Sequence, residues 1–226
     1  MTVPGWRPQP DDRSVSYSPA WFQLLDDVTG AAPVERVRVL LDLRDGGQWR
    51  PTRVAAYVSP TGVIAFPGLE RRRVAIGVPP RRYRIRVEAE RYRPLYRATA
   101  DGVEFDAAVH DDTTVPPPPV RREVLLLPSP SYGYPVHVRP LRGDVVGPAG
   151  DRVPDAVVQS LTTVGTTTKR ERALSDDRGV FALALRWLAP GTTAPVTADD
   201  LRTGRSGTVT VTVPDDLDHN QRITIA

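Results

Sequence analysis

The chain has 226 residues, more than the roughly 100–150 of a common single domain, so two compact units are the expectation. With 30 basic against 27 acidic residues the formal charge is only +3, too small and too evenly mixed to mark a nucleic-acid surface. The absence of cysteine excludes disulfides, thiolate metal sites and cysteine nucleophiles. The positive charge is almost all arginine, Lys169 being the one lysine, which suits planar multi-donor contacts to carboxylates and aromatic faces.

Residues 1–34 combine Pro, Asp and Ser with Trp6, Tyr17, Trp21 and Phe22, the composition of an extended arm that either docks on a partner or closes over the first core. Within it Ser18 offers a helix cap and Pro19 a first-turn residue, which predicts a short helix running to Asp27. From Val37 the texture changes to short apolar and β-branched runs separated by turns. Strands are predicted over residues 37–42, 53–58, 63–66, 73–78, 82–88, 103–109 and 121–127, with Asp45-Gly46-Gly47 as a hairpin turn and Pro116 to Pro119 as a stiff spacer. The clearest is Arg82 to Glu88, where strict alternation puts Tyr83, Ile85 and Val87 on one face. The arginines between Arg71 and Arg97 interleave with Tyr83, Tyr92 and Tyr96; that pattern can stack bases, but alternation makes it the solvated face of strands.

Pro128 to Pro135 removes ladder donors and breaks the strand pattern, so the domain boundary is placed there. Beyond it, strands are predicted over residues 136–146, 156–161, 179–185, 207–213 and 221–226. The organisation is an arm at 1–34, a first sandwich at 35–128, a linker at 129–135 and a second sandwich at 136–226: an all-β chain of two small immunoglobulin- or transthyretin-like sandwiches.

The second half carries a recognisable pattern. Leu141-Arg-Gly143-Asp-Val-Val-Gly147-Pro-Ala-Gly150 leads to Pro154-Asp155-Ala156-Val157-Val158, and Asp176-Asp177-Arg-Gly179 feeds Phe181 and Leu183. Gly143 and Gly179 permit tight backbone geometry, and Asp176 can bond the turn backbone. Over residues 138–226 this resembles the carboxypeptidase regulatory-like family of transthyretin-like sandwiches, departing from it at Trp187 to Arg202, where a Pro- and Thr-rich insertion replaces the short turn that the family implies. Residues 79–94 echo the same family more weakly, which suggests two diverged copies of one sandwich. The join Leu125 to Pro135 followed by such a module is similar to proteins encoded with bacterial contractile injection particles, and the resemblance implies a cap or adaptor role.

Catalytic signatures are missing. There is no Gly-x-Ser-x-Gly elbow, no His-x-x-Glu pair and no phosphate-binding Gly-x-x-x-x-Gly-Lys loop. His110, His137 and His219 are separated, and the acids beside them read as turns rather than cation loops, so neither metal nor cofactor is expected. No run of 18 apolar residues occurs and no secretory leader is visible at the amino terminus, which predicts a cytoplasmic protein without membrane insertion or nucleic-acid binding. The expected function is a non-enzymatic structural or adaptor subunit of a multi-copy protein assembly, with Trp6, Trp21, Phe22, Tyr132 and Tyr134 as partner-binding anchors and Trp49 more plausibly core; the alternative is a carbohydrate- or surface-binding module.

Overall fold

A computed structural model describes residues 16–96, 100–113 and 116–226. The chain is all-β, with sixteen strands in four sheets among the described residues. The first nine strands are β1 (Ala20–Asp26), β2 (Arg38–Asp45), β3 (Gln48–Pro51), β4 (Tyr57–Val58), β5 (Val63–Ala65), β6 (Arg81–Glu88), β7 (Tyr92–Pro94), β8 (Val103–Ala107) and β9 (Val120–Pro128). They form a sandwich of one sheet ordered β4-β5-β1-β9-β7 and another ordered β3-β2-β6-β8. The other seven are β10 (Leu141–Val146), β11 (Val157–Val164), β12 (Thr167–Leu174), β13 (Val180–Leu183), β14 (Thr193–Asp200), β15 (Arg205–Thr212) and β16 (Gln221–Thr224). Their sheets are ordered β13-β10-β16 and β12-β11-β14-β15.

These orders are the same order. In each sandwich the first strand pairs antiparallel with one neighbour and parallel with the last strand, as β5-β1-β9 and as β13-β10-β16. In each, the opposite sheet is an antiparallel run whose second strand makes a hairpin with the third, as β3-β2-β6-β8 and as β12-β11-β14-β15. The two sandwiches repeat one topology, with β4 and β7 as additions to the first.

Each has its own apolar core. Phe22, Ile64, Phe66, Tyr83, Ile85, Phe105 and Leu126 fill the first, where the Phe22 and Phe105 rings meet edge-on at 5.2 Å. Leu141, Val145, Val158, Phe181, Leu183, Val196 and Ile223 fill the second. Tyr83, Ile85 and Val87 are buried together, as strict alternation requires.

Several expectations are corrected. The helix predicted from Ser18 to Asp27 is the strand β1: Ala20, Phe22, Leu24 and Asp26 point inward at period two, and the burial this provides outweighs the capping signal. The arm expected over residues 1–34 therefore does not hold for residues 20–26, which form the centre of a five-stranded sheet. The strand expected over 53–58 shrinks to β4. That expected over 73–78 is a turn, in which Val78 N–H donates to Ala75 O at 3.2 Å and Gly77 takes φ of 77°. The insertion expected from Trp187 to Arg202 contains β14, and β3, β7 and β12 were not anticipated at all.

Candidate interaction surfaces

The first surface lies between the sandwiches. Successive residues of β9 face opposite ways, so Val124 and Leu126 enter the first core while Leu127 turns to the second sandwich. There Leu127 packs with Val157 and Leu174, flanked by Leu95 and Leu125. Ion pairs surround this seam. Arg93 donates from Nε and Nη2 to Asp155 Oδ1 at 3.1 and 2.8 Å and from Nη2 to Asp177 Oδ1 at 2.8 Å. Arg202 reaches the other oxygen of Asp155 at 3.1 Å, and Arg172 pairs with Asp27. Arg186 holds the buried Glu171 at 2.8 Å and also donates to Val28 O at 3.2 Å.

The linker is built into the same junction. Tyr132 and Tyr92 donate their hydroxyls to Asp26 Oδ2 at 2.8 and 3.1 Å, and Tyr134 donates to Ala182 O at 3.0 Å. The three rings meet edge-on in sequence. Burial first, then the Asp26 charge and hydrogen bond, push the Tyr92 hydroxyl up to about 12, and the same causes raise Tyr132 further. Tyr132 and Tyr134 are thus spent on joining the two sandwiches.

The other anchor candidates separate by strand alternation. Trp6 lies outside the described residues. Phe22 is fully buried in the first core, which corrects its reading as a partner contact: a side chain with no exposed surface cannot anchor another protein. Trp21, its neighbour, points outward and is 43% exposed, with the Arg121 guanidinium 5.5 Å from the ring. Trp49 is half-buried beside Arg84 at 4.8 Å and Arg44 at 5.8 Å, and Trp187 has Lys169 at 5.2 Å. Every described tryptophan carries a cation over its ring.

Two buried carboxylates brace the first sandwich. Asp42 receives Arg84 Nη2 at 2.7 Å and Arg86 Nε at 2.8 Å; the Arg86 bond above all, with Arg84 adding to it, holds its pKa below the ordinary range against the opposing effect of burial. Glu70 accepts from Tyr83, Arg72 and Arg81; burial opposes its charge, but these donors outweigh it and keep its pKa low. Among the described residues no three His, Cys, Asp or Glu side chains converge on a point that could hold a metal ion.

Two further features were missed by sequence reasoning. A cleft of about 340 Å³ opens beside the seam, with Val87, Leu95, Leu174 and Leu201 as its apolar lining and Arg93, Asp101, Asp155 and Arg202 among its polar residues. At the other end of the first sandwich, the loop entering β6 exposes Val74, Ile76 and Val78 by 65%, 79% and 43%. Their alternation reads as a strand, but the turn at Gly77 followed by Val78-Pro79-Pro80 denies them a ladder, a signal present in the sequence.

No protein-family model matches the sequence, and no curated protein matches it. Among solved structures the chain is similar to the Bacillus anthracis TIE protein, at 10% identity and a TM-score of 0.29 over 92% of this chain and 33% of that one. It is similar to a streptococcal ancillary pilin, at 13% identity and 0.27 over 92% and 62%. It is also similar to a C-terminal fragment of the pilus adhesin SpaC from Lactobacillus rhamnosus GG, at 12% identity and 0.22 over 91% and 86%. The chain thus spans a third of the first and under two thirds of the second.

Proposed function

We propose that the chain is a non-catalytic structural or adaptor subunit of a larger protein assembly. The observation that carries this reading is the junction: an apolar seam, Arg93 and Arg172 bound to carboxylates across it, Arg186 donating across it to Val28 O, and two linker tyrosines hold two repeated sandwiches as one body. Such a joint suits a part that transmits position between partners. A sugar-binding platform is disfavoured by the cations that occupy the tryptophan rings. The more specific form of the proposal, a cap or cap-adaptor of a phage-tail-like contractile injection particle acting in the cytoplasm, rests on the sequence resemblance to regulatory-like modules after the Leu125 to Pro135 join.

The test is sedimentation of a native-cell extract containing the epitope-tagged chain, with cross-linking mass spectrometry on each fraction. Recovery in a particle-sized fraction at fixed stoichiometry, cross-linked to tail-like proteins, supports the proposal in its specific form. Cross-links to other structural proteins would retain the adaptor and remove the particle. A chain found only at the monomer position, and retained by a glycan array, would overturn both.

A further inference from the structure

We infer that the exposed loop at residues 73–78 of one chain seats in the inter-sandwich cleft of a second copy, so that the protein assembles head to tail. The projecting element is an apolar tip, Val74, Ile76 and Val78, the last two on either side of Gly77. It is held in shape rather than loose: Ala75 N–H donates to Asp111 Oδ2 at 2.9 Å, and Arg72 N–H donates to His110 O at 2.8 Å. A contiguous exposed apolar tip on a braced loop marks a contact surface.

The receiving element is the cleft, whose floor is the nearly buried Val87 and Leu174 and whose accessible aliphatic surface comes from half-buried Leu95 and exposed Leu201. The charges match. Arg71 is paired with Asp112, and Arg72 and Arg81 with Glu70, while Arg73 at the tip has no ion pair among the described residues. At the cleft, Asp101 is 72% exposed and only loosely held, 3.7 Å from Arg202 and 4.0 Å from Arg84. Arg73 meeting Asp101 would fix the register of an apolar contact.

The two elements cannot meet within one chain. β6 begins at Arg81, beside the loop, and reaches the cleft at Arg86 to Glu88, about 17–23 Å away at a rise of about 3.3 Å per residue. Different patches at opposite ends make a heterologous contact, which propagates into a ring or a filament. A membrane is the poorer occupant, because lipid docking draws on clusters of about 4–8 basic residues and here Arg71, Arg72 and Arg81 are already held by Asp112 and Glu70, leaving Arg73 as the one tip arginine without an ion pair among the described residues. The inference deepens the proposed structural role by naming its partner, and a monomeric chain would remove it while leaving the adaptor role standing.

The experiment is sedimentation equilibrium of the full chain from about 1 μM to about 1 mM, the range in which a contact of this kind dissociates. The wild-type average mass should climb past that of a dimer. Ile76→Asp and Leu201→Asp, both at exposed positions, should each weaken association at least about thirtyfold while melting as the wild type does. Mixed together they should form dimers and nothing larger, since one intact tip then meets one intact cleft. Arg73→Glu should weaken association, and Asp101→Arg should restore it. A wild-type monomer across the whole range, either aspartate variant assembling like the wild type, or a mixture that stays monomeric would each overturn the inference.

Discussion

Replacing Leu127 by Ala tests whether the two sandwiches are one body. Leu127, Val157 and Leu174 are almost wholly buried against one another, and burying three such side chains is worth about 5–9 kcal/mol. That is comparable with the whole stability of a domain, about 5–15 kcal/mol, so the wild type should melt in one coupled transition. Truncation at Leu127 removes a side chain that faces the seam and not the first core, and costs about 2–4 kcal/mol. For a chain of this size that lowers the melting temperature by about 5–15 °C or splits the transition in two, because coupling is lost before either core is touched. Differential scanning calorimetry, with small-angle scattering to follow the spacing of the sandwiches, reads both effects. A Leu127→Ala protein that keeps one transition within a degree of the wild type, with unchanged scattering, would show that the seam does not join the domains.

Asp42→Ala leaves Arg84 and Arg86 without their shared carboxylate and should cost about 3–5 kcal/mol in urea denaturation. Because the folded-state pKa of Asp42 is lowered, its stabilisation is present above about pH 4 and is lost as pH falls through the folded value. The urea midpoint should therefore fall more steeply below about pH 4 in the wild type than in Asp42→Asn. The tyrosines give the opposite limb: Tyr92 and Tyr96 are raised to about 12, so their stabilisation is complete below about pH 10 and disappears as pH rises towards the folded values. Ultraviolet titration should show them ionising late, with unfolding at the end of the curve. Gly143→Ala should disable the second sandwich, since a Cβ there would stand 2.1 Å from Gln221 O and 2.7 Å from the Phe181 ring; loss of its amide protection in hydrogen exchange, with protection in the first sandwich lowered by the lost seam, is the expected result.

Local rules carried the sequence a long way. Period-two alternation located β6 and its buried face, and Asp176 does bond the turn it precedes, accepting from Arg178 N–H and Val180 N–H at 2.9 Å each. The suggestion of two related halves has a structural counterpart in the repeated strand order. That repeat also held the clue to β1: β10 precedes β11 in the second sandwich, so a strand should precede β2 in the first, and the inward alternation of Ala20, Phe22, Leu24 and Asp26 supplies it.

By itself the sequence determined the all-β class, the run of inward residues in most strands and the glycine and aspartate turns, because these depend on neighbours two to four positions apart. Only the tertiary structure decided which apolar runs obtain a partner strand. Val74, Ile76 and Val78 have the same alternation as Tyr83, Ile85 and Val87, yet the former lie in solvent and the latter in the core. It also decided that Phe22 is core and Trp21 surface, and that Tyr132 and Tyr134 join the sandwiches instead of reaching outward. Pairing and burial are set by residues tens of positions away, Tyr132 finding Asp26 and Arg172 finding Asp27, and no local period records such meetings.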